Sequence, residues 1–311
     1  MLRYGVVRKL FILLTLLLLN TANAAPTGYP DVPHFGYQNH YQAMLNLFDG
    51  QVDVAIKHPG VVGTQSKEIY LVKHAEKIWF VKILAMNLDN PSPTHYEFEW
   101  ELKAMLANKN PLAEVGGEIV FPDRAAFFTN KMQQHYIASY PLVMGKTIRY
   151  YAQNYILSGK PSDLGILANA VYRYAQVSAR LHFDPNDPPK RGEDILGRPV
   201  RFFLEDRNGA NEIYDPTTDR IYLIDYPLLH KHHNISIPVE NYLLSAIAVA
   251  VGGIIDDGSN LELLLNTFII GYMNALPKYD STYLQDMLHE YLDGIIHPLI
   301  QAKVIIHEFK E

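Results

Sequence analysis

The sequence contains no cysteine in its 311 residues. This absence excludes a disulfide framework, a zinc-thiolate site and a thiol nucleophile, so the fold must be stabilised by packing alone. Basic residues are also few, with 27 lysines and arginines against 33 aspartates and glutamates, for a formal net charge of -6. That balance argues against a dedicated nucleic-acid-binding protein, because such proteins neutralise many phosphates. Hydrophobic residues make up 48% of the chain, which excludes a disordered protein.

Long apolar runs are absent except at Leu10–Leu19, which follows three basic residues. Ala22-Asn23-Ala24 then supplies a small-x-small pattern, so residues 1–24 are predicted to be a signal peptide cleaved before Ala25. The run is about ten residues long where a spanning helix needs roughly 20, which makes a retained anchor the weaker alternative. We expect an exported protein, periplasmic or secreted, with no stable membrane span after cleavage.

The mature chain is predicted to have three parts. Residues 25–51 are rich in proline, glycine, histidine and tyrosine, which indicates an N-terminal extension. Residues 52–140 carry strand patterns and residues 141–311 carry mainly helical ones. The expected class is therefore α+β, with a small β-rich lobe followed by a larger helical lobe.

Within these parts, a few elements are predicted clearly enough to place candidate residues. Segments 69–72 and 78–84 flank a short turn and predict a β-hairpin. Helices are predicted near residues 42–48 and 95–106, and further strands near residues 118–121 and 135–139.

Lys82 is the first candidate functional residue. It lies within the predicted strand 78–84, where alternation places it on the same face as Phe80 and Leu84. A cation among apolar neighbours must find an anion. The alternative is an edge strand from which the lysine extends its amine to water.

The helix after this strand offers glutamates as partners for Lys82. Glu99 has Lys103 four residues on and is expected to form a surface pair with it. Glu101 lies at the margin of the apolar stripe of this helix and is the partner that we predict for Lys82. Glu97 shares much of the same face. In the other alternative, all three glutamates simply form a solvated helix face.

A second predicted hairpin brings oxygen ligands together. Asp206 and Asn211 precede strands predicted at 212–214 and 220–224, and Asp225 follows the second strand. Because a hairpin returns the chain to its starting end, these three side chains are expected at one spot. Carboxylate and amide oxygens suit Mg²⁺ or Mn²⁺ better than zinc.

These motifs together resemble the protein-kinase-like superfamily, and the phosphoinositide and other atypical kinases more than ordinary protein kinases. The matching features are a glycine loop at Gly60–Ser66, the strand lysine in Phe80-Val81-Lys82-Ile83, the helix glutamate Glu101, the pattern Asp206-x4-Asn211, and Leu223-Ile224-Asp225. The resemblance covers about residues 52–298 and implies a two-lobed kinase-like fold.

The resemblance also implies roles for individual residues. Lys82 would contact the α- and β-phosphates of ATP with Glu101 orienting it, and Asp206 would accept the proton of the substrate hydroxyl or position that hydroxyl. Asn211 and Asp225 would hold Mg²⁺ or Mn²⁺. The implied nucleotide-binding residues also include Gly60, Gly63, Thr64, Gln65 and Ser66 through their backbone N–H groups, and Met144 in the hinge segment.

Three departures from the family pattern limit the substrate class. Leu204 stands two residues before Asp206 where a histidine is usual, Tyr226-Pro227 follows Asp225 instead of Phe-Gly, and about fourteen residues separate Asp225 from the next predicted helix. That segment is too short for a peptide-docking activation segment. Residues 184–199 form an insert that either contributes to a substrate site or decorates the surface.

The expected function is an exported phosphotransferase that moves a phosphoryl group from ATP to a hydroxyl of a protein, lipid or small molecule. Because spaces beyond an inner membrane are poor in ATP, such an enzyme would either be delivered to an ATP-rich destination, such as a host cell, or use another nucleotide. The alternatives are a pseudokinase-type binding or scaffold protein, and a nucleotidyl (AMP) transferase in which the nucleotide binds reversed.

Overall fold

A computed structural model describes residues 32–58, 66–86, 95–108, 110–183, 187, 204, 209–225, 258–276, 282 and 286. In chain order the described elements are β1 (His34–Tyr37), α1 (His40–Leu47), β2 (Val54–Lys57), β3 (Ser66–His74), β4 (Lys77–Ala85), α2 (His95–Asn108), β5 (Gly117–Ile119), β6 (Arg124–Asn130), β7 (Gln133–Pro141), β8 (Lys146–Thr147), α3 (Ile148–Ser158), α4 (Pro161–His182), β9 (Glu212–Asp215), β10 (Arg220–Leu223) and α5 (Gly258–Asn274).

The described residues fall into two compact units. The first contains the residues up to Trp100 together with Pro122–Pro141, and the second contains Glu101–Phe121 together with the residues from Leu142 onwards. The first unit is built around a large sheet and the second is mainly helical, which confirms the predicted α+β class. None of the helices in the described part of the chain is long and apolar enough to cross a membrane.

The first unit contains a six-stranded sheet in the order β1-β6-β7-β4-β3-β2. The predicted first hairpin is confirmed, because β3 and β4 pair antiparallel and turn at Ala75 and Glu76, both with positive φ. Such a turn matches the twist of the two strands it joins. Strand β4 lies between β3 and β7 and is therefore internal.

The N-terminal extension forms part of the core of the first unit. Strand β1 pairs parallel with β6, and Asn39 caps α1 by accepting a hydrogen bond from the backbone N–H of Gln42 at 2.8 Å. Met44 of α1 and Phe48 just after it are fully buried on one face of the sheet. The predicted helix near residues 42–48 is confirmed, and its burial stabilises the unit by roughly 1.5–3 kcal/mol per large side chain.

The opposite face of this sheet, called here the Lys82 face, carries a second apolar cluster. Its strand residues lie in β4, β6 and β7, and Trp100 of α2 packs against them; they are Leu84, Phe127, Tyr136 and Ala138. The helix predicted near residues 95–106 is confirmed as α2. Both faces of the sheet are therefore covered by helical residues within the first unit.

The second unit combines a four-stranded sheet, in the order β5-β10-β9-β8, with helices α3, α4 and α5. Helices α4 and α5 approach closely at Gly271, where an added Cβ would lie 2.6 Å from the carbonyl oxygen of Tyr172. The His182 Nδ1 atom lies 2.7 Å from the Tyr272 hydroxyl. Burial lowers the pKa of His182 to about 3, so this histidine joins the two helices as a neutral group.

Candidate functional site

Lys82 is a buried lysine on an internal strand. It pairs with Ile69 of β3 and Ala138 of β7, and only 8% of the residue is exposed. The edge-strand alternative is therefore wrong. The Lys82 ammonium lies 5.8 Å from the centroid of the Tyr140 ring and 6.0 Å from that of Phe80, within the range of a cation–π interaction.

Glu99 is the buried carboxylate of the Lys82 face. It is 1% exposed, its Oε2 atom accepts a hydrogen bond from the Tyr136 hydroxyl at 2.9 Å, and its Oε1 atom accepts one from the Tyr140 hydroxyl. The expectation that Glu99 forms a surface pair with Lys103 is wrong, because the Glu99 side chain faces into the protein.

The sequence signal for the burial of Glu99 is its position relative to the apolar residues of the helix. Glu99 shares a helix face with the buried residues Leu102 and Leu106, at spacings of three and seven. The local rule that pairs charges four residues apart favoured Lys103 instead, and that rule is worth only a few tenths of a kcal/mol. Glu101 lies in α2, and its role toward Lys82 stays a prediction because its side chain is outside the described part of the structure.

Tyr140 is a shared neighbour of the buried amine and the buried carboxylate. On β7, Tyr136 and Tyr140 flank Ala138, the residue opposite Lys82, and alternation puts all three on the Lys82 face. The ammonium of Lys82 thus lies beside the strand that binds Glu99. An amine that lies among aromatic rings on an internal strand, next to the strand whose tyrosines bind Glu99, has a fixed direction, which suits it to bind an anionic ligand such as a phosphate.

The second predicted hairpin is confirmed and brings Asn211 and Asp225 to the same end. Strands β9 and β10 pair antiparallel with Glu212 opposite Leu223, and the Ile224 N–H donates to the Asn211 carbonyl at 2.9 Å. The hydrogen-bonded pairing of the two strands therefore continues one residue beyond the ends of β9 and β10. Asp225 has a φ of 49°, a left-handed conformation that aspartate tolerates better than most residues, and it turns the chain away from β10.

The closed end of the same hairpin is held by its own polar side chains. Thr217 and Thr218 donate hydrogen bonds to Asp215 and lower its pKa. Asp219 accepts from Arg173 of α4 and from the Tyr214 hydroxyl, and the hydrogen bond from Arg173 lowers the pKa of Asp219. The hairpin is thereby attached to α4, while its open end presents Asn211 and Asp225.

The open end of the hairpin offers donors that fit a hard divalent cation. An amide oxygen and a carboxylate are of the type that Mg²⁺ and Mn²⁺ prefer. Among the described residues there is no group of three or more histidine, aspartate or glutamate side chains that could hold a metal, and Asp206 lies outside them.

Met144, the residue predicted for the hinge, lies at the start of the second segment of the second unit. Met144 is 72% exposed. Gly145 has a φ of 112°, and a Cβ there would lie 2.4 Å from the Tyr214 carbonyl oxygen. Only glycine fits this close approach to β9.

The remaining predicted residues are placed only in part. Ser66 opens β3. Leu204 is fully buried. The predicted residues Gly60, Gly63, Thr64, Gln65 and Asp206, and all of the 184–199 insert except Asp187, lie outside the described residues.

Comparison with known proteins gives little beyond these features. No family model and no curated protein matches the chain. Among solved structures, the chain is similar to WaaP in complex with acyl carrier protein, with a TM-score of 0.42 and 13% identity, over 81% of this chain and 91% of that one. A likeness at this level fixes neither the fold family nor the activity of this chain.

Proposed function

We propose that this protein is a kinase-like phosphotransferase that uses ATP with Mg²⁺ or Mn²⁺ to phosphorylate a hydroxyl group. The observation that carries the proposal is the arrangement on the Lys82 face, in which a buried lysine on an internal strand and a buried glutamate on the following helix share Tyr140 as a neighbour. A purely structural sheet has no need for two buried charged groups, whose desolvation costs free energy. A phosphate-binding sheet needs such a directed amine.

Within the first unit, Lys82 takes the role of binding the α- and β-phosphates. Glu99 takes the orienting role that the sequence predicted for Glu101, because Glu99 is the glutamate fixed beside Tyr140. The same face continues toward β3 with Phe80 opposite the partly buried Leu71. Apolar surface next to an anion-binding amine is the composition that a nucleobase and its phosphates require.

Within the second unit, Asn211 and Asp225 take the role of metal ligands. When bound, the divalent ion would neutralise charge on the phosphate oxygens. Asp206 takes the role of accepting the proton from the acceptor hydroxyl. The hydroxyl oxygen forms a bond to the γ-phosphorus, the bond from that phosphorus to the β,γ-bridging oxygen breaks, and ADP leaves with that oxygen.

Nucleotide binding by the full chain tests this function. The dissociation constant for ATP is measured with Mg²⁺, with Mn²⁺ and with EDTA, for the native protein and for Lys82→Ala, with Lys73→Ala as the matched control on β3. We expect metal-dependent binding that Lys82→Ala weakens at least tenfold and Lys73→Ala leaves unchanged. No nucleotide binding in the native protein would refute the enzyme and favour the scaffold alternative.

Transfer is tested with two labels. ATP carrying ³²P at the γ- or the α-position is incubated with proteins, lipids and small alcohols as acceptors. We expect label from the γ-position only, and we expect Asp206→Ala to bind ATP without transferring it. Label from the α-position would favour the AMP transferase. Unchanged metal-dependent affinity in Asp225→Ala would overturn the metal-ligand assignment.

Export remains part of the proposal and has its own test. The basic residues, the apolar run and the Ala22-Asn23-Ala24 site support it. Mass spectrometry of the protein from the exported fraction is expected to find an N terminus at Ala25. An uncleaved N terminus would instead support a retained anchor.

A further inference from the structure

Two tyrosines of one strand bind both oxygens of the Glu99 carboxylate. Tyr136 donates to Oε2 at 2.9 Å and Tyr140 donates to Oε1. The two tyrosines are separated by Ala138, which lies opposite Lys82. The donors that hold the carboxylate therefore stand on either side of the position that faces the amine.

We propose that Tyr136 and Tyr140 are positioning residues that fix the Glu99 carboxylate beside Lys82, so that the phosphate-binding amine is aligned before any nucleotide binds. This inference rests on the proposed function, since it assigns a role toward the same phosphates. The inference concerns which residues fix the geometry of the phosphate-binding site. The two tyrosine hydroxyls act there only through Glu99.

The strand that carries the tyrosines is a rigid support. Strand β7 is internal and pairs with both β4 and β6. Tyr136 is 1% exposed and its ring centroid lies 5.6 Å from that of Phe127. Hydrogen bonds from hydroxyls to a carboxylate are shorter and stronger than neutral ones. Two of them on a buried side chain hold one carboxylate geometry in the absence of ligand.

A merely structural role for the hydroxyls would give a different result from positioning. Trp100 of α2 also packs on this face, so the helix keeps apolar contacts when a hydroxyl is removed. Structural hydroxyls would then affect thermal stability and leave ligand discrimination unchanged. Positioning hydroxyls would affect binding of phosphate-bearing ligands more than binding of the nucleoside.

The experiment compares Tyr136→Phe, Tyr140→Phe and the double variant of the full chain with Tyr41→Phe. Tyr41 is a half-exposed tyrosine on α1 in the same unit. Dissociation constants are measured for MgATP and for adenosine, well below each melting temperature. We expect the double variant to weaken MgATP binding about tenfold, with adenosine changed less than twofold and Tyr41→Phe like the native protein. Unchanged MgATP affinity, or equal losses for both ligands, would overturn the proposal.

A second measurement keeps this inference separate from the proposed function. Each variant is treated with a limiting amount of acetic anhydride, and acetylation of every lysine is quantified by peptide mass spectrometry. If the two tyrosines fix the site, Lys82 is acetylated several-fold faster in the double variant than in the native protein. The acetylation rates of the other lysines are unchanged. The single variants serve the same purpose if the double variant does not fold. A native protein that fails to bind ATP refutes the proposed function, whereas unchanged Lys82 acetylation refutes the positioning role by itself.

Discussion

Replacing Phe48 by alanine is expected to destabilise the first unit by about 4 kcal/mol. Phe48 is fully buried at the end of α1, and its ring centroid lies 6.3 Å from that of Trp79 and 5.5 Å from the guanidinium carbon of Arg124. Truncation of a buried phenylalanine typically costs about 3–5 kcal/mol of unfolding free energy. That range includes the loss of the cation–π contact. This is a large fraction of the stability of an ordinary domain.

The two tryptophans make the assay specific to this unit. The chain has 2 tryptophans, and both Trp79 and Trp100 belong to the first unit. Urea unfolding followed by intrinsic fluorescence therefore reports on that unit. Tyr41→Ala, on the same helix but 52% exposed, is the control and is expected to cost less than about 1 kcal/mol. A loss below about 1 kcal/mol for Phe48→Ala would refute the claim that the extension completes the core.

Three further predictions concern the site and its supports. Glu99→Gln is expected to weaken MgATP binding about tenfold, whereas Glu101→Gln changes it little; a loss confined to Glu101→Gln would reinstate the partner predicted from sequence. Because Arg173 lowers the pKa of Asp219 from its ordinary value of 3.8, the contribution of Asp219 to stability is full above that value and is lost as the pH falls through the lower folded pKa. Asp219→Asn is therefore expected to flatten the loss of stability below about pH 4, measured by urea unfolding followed by circular dichroism, and an unchanged slope would show that another group is responsible. Gly145→Ala is expected to destabilise the second unit by at least about 2 kcal/mol in thermal or urea unfolding, while Gly165→Ala on α4, where an added Cβ meets nothing within 4 Å, is expected to be neutral or stabilising; equal effects of the two would contradict the close approach of Gly145 to β9.

Local patterns in the sequence predicted the parts of the fold that depend on neighbouring residues. The hairpin around Ala75 and Glu76 and the hairpin that ends at Asp225 both follow from strand patterns separated by turn residues. The buried position of Lys82 follows from the alternation of its strand. Each of these needs information from fewer than about twenty residues.

Features set by distant contacts were not predicted. Strand β6 was not predicted, and neither was the parallel pairing that adds β1 to the sheet, because nothing in the local sequence of β1 specifies β6 as its neighbour. The hydrogen bonds of Glu99 were missed for the same reason, since the hydroxyls that bind it come from Tyr136 and Tyr140, more than thirty residues later. The burial pattern of α2 alone would have suggested that Glu99 is buried, but not that Tyr136 and Tyr140 bind it.

The pairing of β1 with β6 also has a consequence for the order in which the chain can fold. His34 lies beside Phe127, so roughly ninety residues must be made before this contact can close. Until β6 and β7 emerge, the apolar side of α1 lacks part of the sheet that covers it. Folding of the first unit is thus completed late in synthesis, by a non-local contact. A chain shortened before Pro141 would expose apolar surface of α1, to which chaperones bind.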